Sequence, residues 1–336
     1  MAQSNPRLSV VVTSYTTERL KDIYDVLESL KAQTYHDMEI LFVAEKSQDL
    51  YQQVKAYAES KAMPIRAIFH EGPLGMSGAR NLGIREATGR IIAFIDDDAL
   101  AFPEWASSIV KTFTDESIIA VTGPAMPRWV DEDTGWLPKE LYWIIACTDW
   151  VQLDGLRDIR NVWGTNMAFR REAFELAGAF STDIGGMHGK RLHGEEVELS
   201  LRIRSKTGKR IVYDPEVKVM HKVYSRRLSL RWISKTSYWI GYTRRVLQEL
   251  SQRYALKEDF LNMERGLLAR ITLSLLPRTL AALVVRPGSA LRVLWVTVVA
   301  LSFVGMGYLH RLLVSMIRRA RRGLDRKGAV DESKNG

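Results

Sequence analysis

Short, mostly apolar runs alternate with helix-period segments along the first hundred residues, and this alternation limits the possible folds more than any other feature of the chain. The runs are residues 8–12, 38–44, 65–69 and 91–95. Between them Leu20, Ile23, Leu27 and Leu30, then Leu50, Val54 and Tyr57, and then residues 79–87 follow a helical period. Strands that are apolar on both faces need cover on both sides, so the pattern predicts an α/β fold with a parallel sheet between helical layers. Ligands of such sheets bind outside the carboxyl ends of the strands. The residues just after Val12, Val43 and Ile95 are therefore where chemistry is expected.

Residues 118–225 are less regular. They hold Trp129, Trp136, Trp143, Trp150 and Trp163, a helical pattern at 171–177 and a Gly/His loop at 185–194. A second helix is predicted at 197–205, with short strands near 211–213 and 217–220. From Leu267 the texture changes. Residues 267–285 are apolar but carry Arg270, Pro277 and Arg278, and 293–309 are 17 residues without a charge. As a helix these 17 residues measure about 25 Å, just short of a ~30 Å hydrocarbon core.

Charge separates the two halves. Residues 1–201 hold 20 Lys+Arg against 30 Asp+Glu, and residues 202–336 hold 28 against 9. So basic a back half points to a polyanionic surface, nucleic acid or anionic lipid. The arginines at 318, 319, 321, 322 and 326 directly follow the apolar run, which favours lipid headgroups; no nucleic-acid partner is expected. A buried helical hairpin in a soluble protein is the competing reading. Residues 1–7 are polar and lack a secretory pattern, and the single cysteine, Cys147, excludes an internal disulfide and any C-x-x-C pair. A reducing cytosolic compartment is the expectation.

Two acidic clusters carry the chemistry. Asp96, Asp97 and Asp98 end an apolar strand with no basic residue among them. Adjacent carboxylates need water, donors or a cation nearby, and an oxygen-rich set suits Mg²⁺ or Mn²⁺ beside a phosphorylated substrate. A solvated turn is the plainer explanation of the cluster, which its position at a strand end disfavours. Glu195 and Glu196 open a helix, where the helix dipole favours the ionised form. No G-x-x-x-x-G-K-[ST], G-x-G-x-x-G or H-E-x-x-H sequence occurs, so kinase, dinucleotide and zinc-protease readings lack support.

Taken together the landmarks resemble the GT-A fold glycosyltransferases of family 2, which include cellulose, chitin and dolichol-phosphate sugar synthases. The matching segments are Ser9–Tyr15 (SVVVTSY), 33–40 (QTYHDMEI), 78–84 (GARNLGI) and 87–98 (ATGRIIAFIDDD). They continue with 164–171 (GTNMAFRR), 194–202 (GEEVELSLR), and Tyr213-Asp-Pro215 with His221. Each is weak alone; seven in order are specific. The resemblance implies that Thr13 and Tyr15 hold the nucleotide base and ribose, that Glu45 reads the uracil, and that Arg80 packs by the diphosphate. It implies Asp98 and His221 as metal ligands, with Asp96 or Asp97 touching ribose or sugar. Glu196 falls where the family has its catalytic base, and Glu195 beside it acts in binding.

The expected organisation is a catalytic domain at 1–225, a helical basic linker at 226–265, amphipathic or transmembrane helices at 266–320, and a basic disordered tail at 321–336. The expected function is metal-assisted, inverting transfer of a sugar from a nucleotide diphosphate, a UDP-sugar by the Glu45 position, to a lipid-linked or glycan acceptor. The protein is expected at the cell membrane, its catalytic domain on the cytoplasmic face, with 267–285 and 293–309 in the plane of the interface or as a shallow hairpin. A non-catalytic sugar-nucleotide sensor or scaffold is the alternative.

Overall fold

In the computed structural model the described residues are 7–72, 75–131, 135–151, 153–182, 184, 194–254 and 260–332, with side chains through residue 317. Residues 185–193 of the predicted Gly/His loop and the arginine side chains from 318 onward lie outside the described residues.

The strands are β1 (Leu8–Ser14), β2 (Met38–Glu45), β3 (Ile65–His70), β4 (Ile91–Ile95), β5 (Ala99–Ala101) and β6 (Ile118–Thr122). After them come β7 (Ala125–Trp129), β8 (Arg157–Asp158), β9 (Asn166–Arg170), β10 (Arg210–Tyr213) and β11 (Val219–Val223). The helices of the first half are α1 (Leu20–Lys31), α2 (Gln48–Ser60), α3 (Met76–Glu86), α4 (Trp105–Thr112), α5 (Arg171–Ala177) and α6 (Glu195–Thr207). The C-terminal helices are α7 (Leu230–Arg253), α8 (Asn262–Arg270), α9 (Leu276–Ala282) and α10 (Pro287–Glu332).

An eight-stranded sheet runs in the order β3-β2-β1-β4-β9-β6-β10-β8, and a three-stranded sheet in the order β5-β11-β7. The four predicted strands form its β3-β2-β1-β4 half and pair in parallel, with Val11 opposite both Leu41 and Phe94. The sheet as a whole is not parallel, however. β9 runs antiparallel between β4 and β6. Apolar patterning reports burial on two faces and is blind to strand direction, which is why the sequence did not show this. One face of the sheet packs on α1, α2 and α4, through residues such as Ile23, Leu27, Val54 and Trp105. The other packs on α3, α5 and α6, through Ala79, Phe174 and Leu199.

The segment expected as a linker is built into the structure. Ser229 caps α7 by accepting from the Trp232 amide, and Ile233, Gly241 and Leu247 of α7 are buried. A third core joins α7 to Leu141 and Ile145, to Ile271 and Leu275, and to Val296 and Ala300 of α10. Trp129, Trp136, Trp143 and Trp150 pack against this core. Core packing accounts for these tryptophans. Residues on both sides of position 265 are thus packed into one core.

α8 and α9 are joined without a break by a π-helical turn, Ile271–Leu275. Pro277 lies just beyond it and has no N–H to give the preceding turn, a known cause of such irregularity. α10 then extends to Glu332, through the stretch expected as a disordered tail; apart from Gly323 and Gly328 that stretch is rich in helix-forming Ala, Arg, Leu and Lys. Among the described residues, Pro287–Ile317 is the one helix long and apolar enough to cross a membrane, with mean hydropathy 1.8.

α7 and α10 meet at two glycines. A Cβ on Gly241 would stand 1.9 Å from the Val304 carbonyl oxygen, and one on Gly307 would stand 1.9 Å from that of Tyr238. Backbone faces backbone at both points, so no larger residue fits. Gly307→Val should destabilise the protein by about 1–3 kcal/mol, read from thermal unfolding in detergent. Gly305→Ala, whose Cβ meets nothing within 4 Å, should be neutral or stabilise by up to about 1 kcal/mol. Equal effects of the two substitutions would rule out a close backbone crossing.

Candidate active site

The carboxyl ends of β1, β2 and β4 converge as the sequence predicts, and the two acidic clusters meet there. β4 ends at Ile95, and the chain turns at once: Asp96 N–H donates to the Thr165 carbonyl at 3.3 Å and Ala99 N–H to the Asp96 carbonyl at 3.1 Å. This turn fans the three aspartates in different directions. β5 then pairs antiparallel with β11, setting His221 opposite Ala99. Lys222 N–H donates to the Asp98 carbonyl at 2.9 Å. The Lys222 ammonium binds Asp22 and Asp25 of α1 at 2.7 and 2.6 Å, and Tyr224 donates to Asp22 at 2.6 Å. β11, and His221 with it, is thus clamped to α1.

Asp98 is buried and fully engaged. One carboxylate oxygen lies 3.1 Å from His221 Nε2 and the other 2.7 Å from an Arg227 nitrogen, with Arg19 at 3.7 Å. Burial alone would raise its pKa; His221, Arg227 and Arg19 outweigh burial and hold it well below the usual carboxylate range. Asp97 points away from this group. It accepts from Ser14 at 2.5 Å and from Arg19 at 2.7 Å, and burial pushes it up to about 6 against the Arg19 charge. Asp96 faces Arg80 at 3.2 Å, and burial likewise raises its pKa.

The donor set that converges is Asp96, Asp98 and His221, with ligand atoms all within 4.8 Å of one another. Two carboxylates and an imidazole fit a divalent cation of the Mg²⁺ or Mn²⁺ kind. The sequence reading placed Asp98 and His221 in this role; the structure adds Asp96 and turns Asp97 toward the first strand.

Gly194 adopts φ +112°, a left-handed backbone that favours glycine, and starts α6 against Thr243 and Leu247 of α7. From this start Glu195 points inward, 2.9 Å from Arg80, and also accepts from the Gly194 N–H at 3.1 Å. Arg80 is buried on α3 and bonds the Gly164 carbonyl at 3.1 Å as well. One guanidinium therefore joins Asp96 to Glu195. Glu196 is half-buried; its own backbone N–H donates toward its carboxylate, and among the described residues no arginine or lysine forms an ion pair with it. Burial and the neighbouring Glu195 push it up to about 8, opposed by the Arg80 and Arg244 charges. A carboxylate of that basicity can take a proton near neutral pH. Within the glutamate pair, then, Glu195 is held by Arg80 and Glu196 forms no ion pair among the described residues.

Of the other expected residues, Thr13 lies half-buried one residue before the end of β1 and Tyr15 is exposed just beyond that end. Glu45 ends β2, buried, and accepts from the Gly75 N–H at the start of α3. Sequence reasoning missed Ser14, Arg19, Arg227 and Cys147. The Cys147 sulfur lies 3.7 Å from His221 Nδ1, and burial keeps the thiol protonated. Nothing local distinguishes Arg227 from its many basic neighbours; its role arises from the turn after β11.

Residues 9–177 match the family described as Glycosyl transferase family 2. The glucosyl-dolichyl phosphate glucuronosyltransferase of Haloferax volcanii is 30% identical over 246 residues, covering 73% of this chain and 78% of that protein. Succinoglycan biosynthesis protein ExoM of Rhizobium meliloti is 26% identical, covering 69% and 74%. Among solved structures, the mannosyltransferase PcManGT from Pyrobaculum calidifontis, in complex with GDP-Man and Mn²⁺, superposes with TM-score 0.59 at 18% identity, covering 92% of this chain and 88% of that one. GalNAc-T7 with UDP, GalNAc and Mn²⁺ gives TM-score 0.52 at 15% identity, covering 80% and 58%.

Replacing Arg80 by Met should leave the buried Glu195 and the half-buried Asp96 without their shared cation, at a cost of about 2–4 kcal/mol in urea unfolding. Arg80→Lys, which cannot reach both partners in one plane, should recover only part of that. Wild-type stability in Arg80→Met would show that the bridge does not hold the two motifs together.

Proposed function

The chain belongs to glycosyl transferase family 2, and from that premise we propose that it moves a sugar, with inversion, from a nucleoside-diphosphate donor to a hydroxyl of a lipid-linked glycan. The observation that carries this reading is the meeting of a cation-binding trio with an unpaired, elevated glutamate at the carboxyl edge of a GT-A sheet. Two structural neighbours were solved with a nucleoside diphosphate or its sugar and Mn²⁺, which supports the same donor class here. Glu45 at the end of β2 supports uridine as the base, and Thr13 and Tyr15 line the position for base and ribose. The name of the Haloferax relative describes transfer to a polyisoprenyl-phosphate-linked sugar, which supports an acceptor of that kind.

Asp96, Asp98 and His221 would hold Mg²⁺ or Mn²⁺. That ion supplies charge neutralisation for the departing diphosphate. Arg19 and Arg227 offset the negative charge of the aspartates and keep them ionised. Glu195, tied to Arg80, helps to position the donor sugar. Glu196 accepts the proton of the acceptor hydroxyl as that oxygen attacks the anomeric carbon from the face opposite the diphosphate. One displacement forms the new glycosidic bond, breaks the sugar–phosphate bond and inverts the centre.

The exposed face of α10 supports a membrane location. Leu291, Trp295, Val298, Leu309, Leu313 and Met316 are exposed at intervals that follow one side of a helix. The other side is covered by α7, and Arg311 of α10 pairs with Glu249 of α7 at 2.7 Å. One apolar side and one protein-covered side suit a helix lying in the interface. The catalytic domain then faces the cytoplasm, where nucleotide sugars are made.

Asp98→Asn should weaken Mn²⁺ binding, followed calorimetrically with UDP present, by about tenfold or more, and abolish transfer. Retained metal affinity would remove Asp98 from the ligand set. For a hydroxyl acceptor kcat/KM should rise with pH to a midpoint near 8, because only the ionised Glu196 accepts a proton. Glu196→Gln should lower turnover roughly 10²–10⁴-fold and flatten that limb, with donor affinity little changed. A pH limb that survives the substitution would assign the proton transfer to another group.

A further inference from the structure

A cavity lies apart from the cation-binding trio. It has a volume of about 680 Å³ and lies between the chain around Trp150–Arg160, the C-terminal turns of α6, and α8. We propose that this cavity holds the phosphate of a polyisoprenyl-phosphate-linked acceptor, with Arg270 as its main cationic contact and the isoprenoid leaving along α9. The inference rests on the acceptor class proposed above and gives that acceptor a place.

Arg270 is the first observation. It is half-buried, donates to the Trp150 carbonyl at 2.7 Å and lies 5.6 Å from the centre of the Trp150 ring. No carboxylate among the described residues stands within ion-pair distance of it. A neutral carbonyl orients this guanidinium without cancelling its charge. By contrast, the cavity's Arg160 is neutralised by Glu264 through two bonds of 3.0 Å. An uncompensated arginine fixed in a partly desolvated cavity favours an anion, and phosphate matches its planar donor fork.

The lining is the second observation. Trp150, Leu153, Phe260 and Met263 give the cavity apolar walls around the charged group, and its volume falls in the range of small-molecule sites. The third is continuity with the exposed apolar surface. Arg270 is the last residue of α8; the π turn and α9 follow at once, with Leu273 79% and Val284 88% exposed. A ligand with an anionic head at Arg270 finds an apolar path for its tail in the next three helical turns.

The cavity also lies within reach of Glu196. Arg204, on its wall, follows Glu196 by eight residues of the same helix, about 12 Å. That is of the order of a glycosyl phosphate's length, as an acceptor with its phosphate in the cavity and its hydroxyl at Glu196 requires. Glu264, which neutralises Arg160, also binds Arg244 at 3.0 Å, and the Arg244 charge acts on Glu196. Arg160, Glu264 and Arg244 thus form a run of ion pairs from the cavity wall toward the helix that carries Glu196.

The test is titration of the full-length protein in detergent with farnesyl phosphate, farnesol and inorganic phosphate, alongside UDP with Mn²⁺. Wild-type protein should bind farnesyl phosphate more tightly than either of the other two probes. Arg270→Gln should weaken farnesyl phosphate roughly 10- to 100-fold, and Arg270→Lys should recover part of the loss. Gly266→Trp is the second variant: Gly266 lines the cavity and a Cβ there meets nothing within 4 Å, so an indole fills the space without altering charge. It should block farnesyl phosphate while the unfolding temperature and UDP binding stay at wild-type values. Unchanged farnesyl phosphate affinity in both Arg270→Gln and Gly266→Trp overturns the proposal. So does equal affinity for farnesol, which would make the cavity merely apolar, or for inorganic phosphate, which would make it a free-anion site. Failure of wild-type protein to bind UDP with Mn²⁺ would instead count against the donor reading, and leaves the farnesyl phosphate result to be judged by itself.

Discussion

The sharing of a few buried guanidinium groups among many buried carboxylates is the constraint on which this structure turns. Asp96, Asp97, Asp98 and Glu195 crowd the carboxyl edge of the sheet, each in contact with an arginine. Unpaired charge in such surroundings is costly, and removing one partner of a buried pair leaves the other exposed to that cost. Arg80 comes from α3, Arg19 from the turn before α1, and Arg227 from the turn after β11. Segments far apart in sequence must therefore arrive together for any of them to be satisfied. Glu196 has no such partner among the described residues, and burial together with the neighbouring Glu195 charge raises its pKa.

Much of this was legible in the sequence. The apolar runs located the strands of the parallel half-sheet, and the two acidic motifs located the ends that matter, because both signals are local. The roles expected of Glu195, Glu196, Asp98 and His221 came from the order of the motifs rather than from any one of them, and the structure brings their elements to one edge of the sheet. What escaped was set by the fold. Strand direction at β9 leaves no trace in a pattern that encodes only burial. The countercharges at Arg19 and Arg227 sit in segments whose basic residues all look alike. The turn after Ile95 decides which aspartates face the trio, and three identical residues cannot announce it.

The rise in basic charge after residue 225 does not coincide with a break in packing. A rise in basic charge looks like a change of domain, yet α7 is buried along one side and meets the catalytic half through Arg227 and Gly194. The tryptophan-rich stretch supplies the apolar surface for that union. Trp129, Trp136, Trp143 and Trp150 pack around the third core, where the C-terminal helices close over the catalytic body.

The two glycine contacts between α7 and α10 bear on how the molecule searches for substrate. Backbone touching backbone leaves no room for a hinge, so α10 moves with the same body that carries β11 and His221. Whatever surface receives the outer side of α10, the carboxylates then ride at one fixed height above it. An enzyme hung from a loose tether explores a volume and meets acceptors of many lengths. With α10 laid in a membrane as proposed, a body fastened in this way would explore only a plane, and would select acceptors by how far they stand out of it.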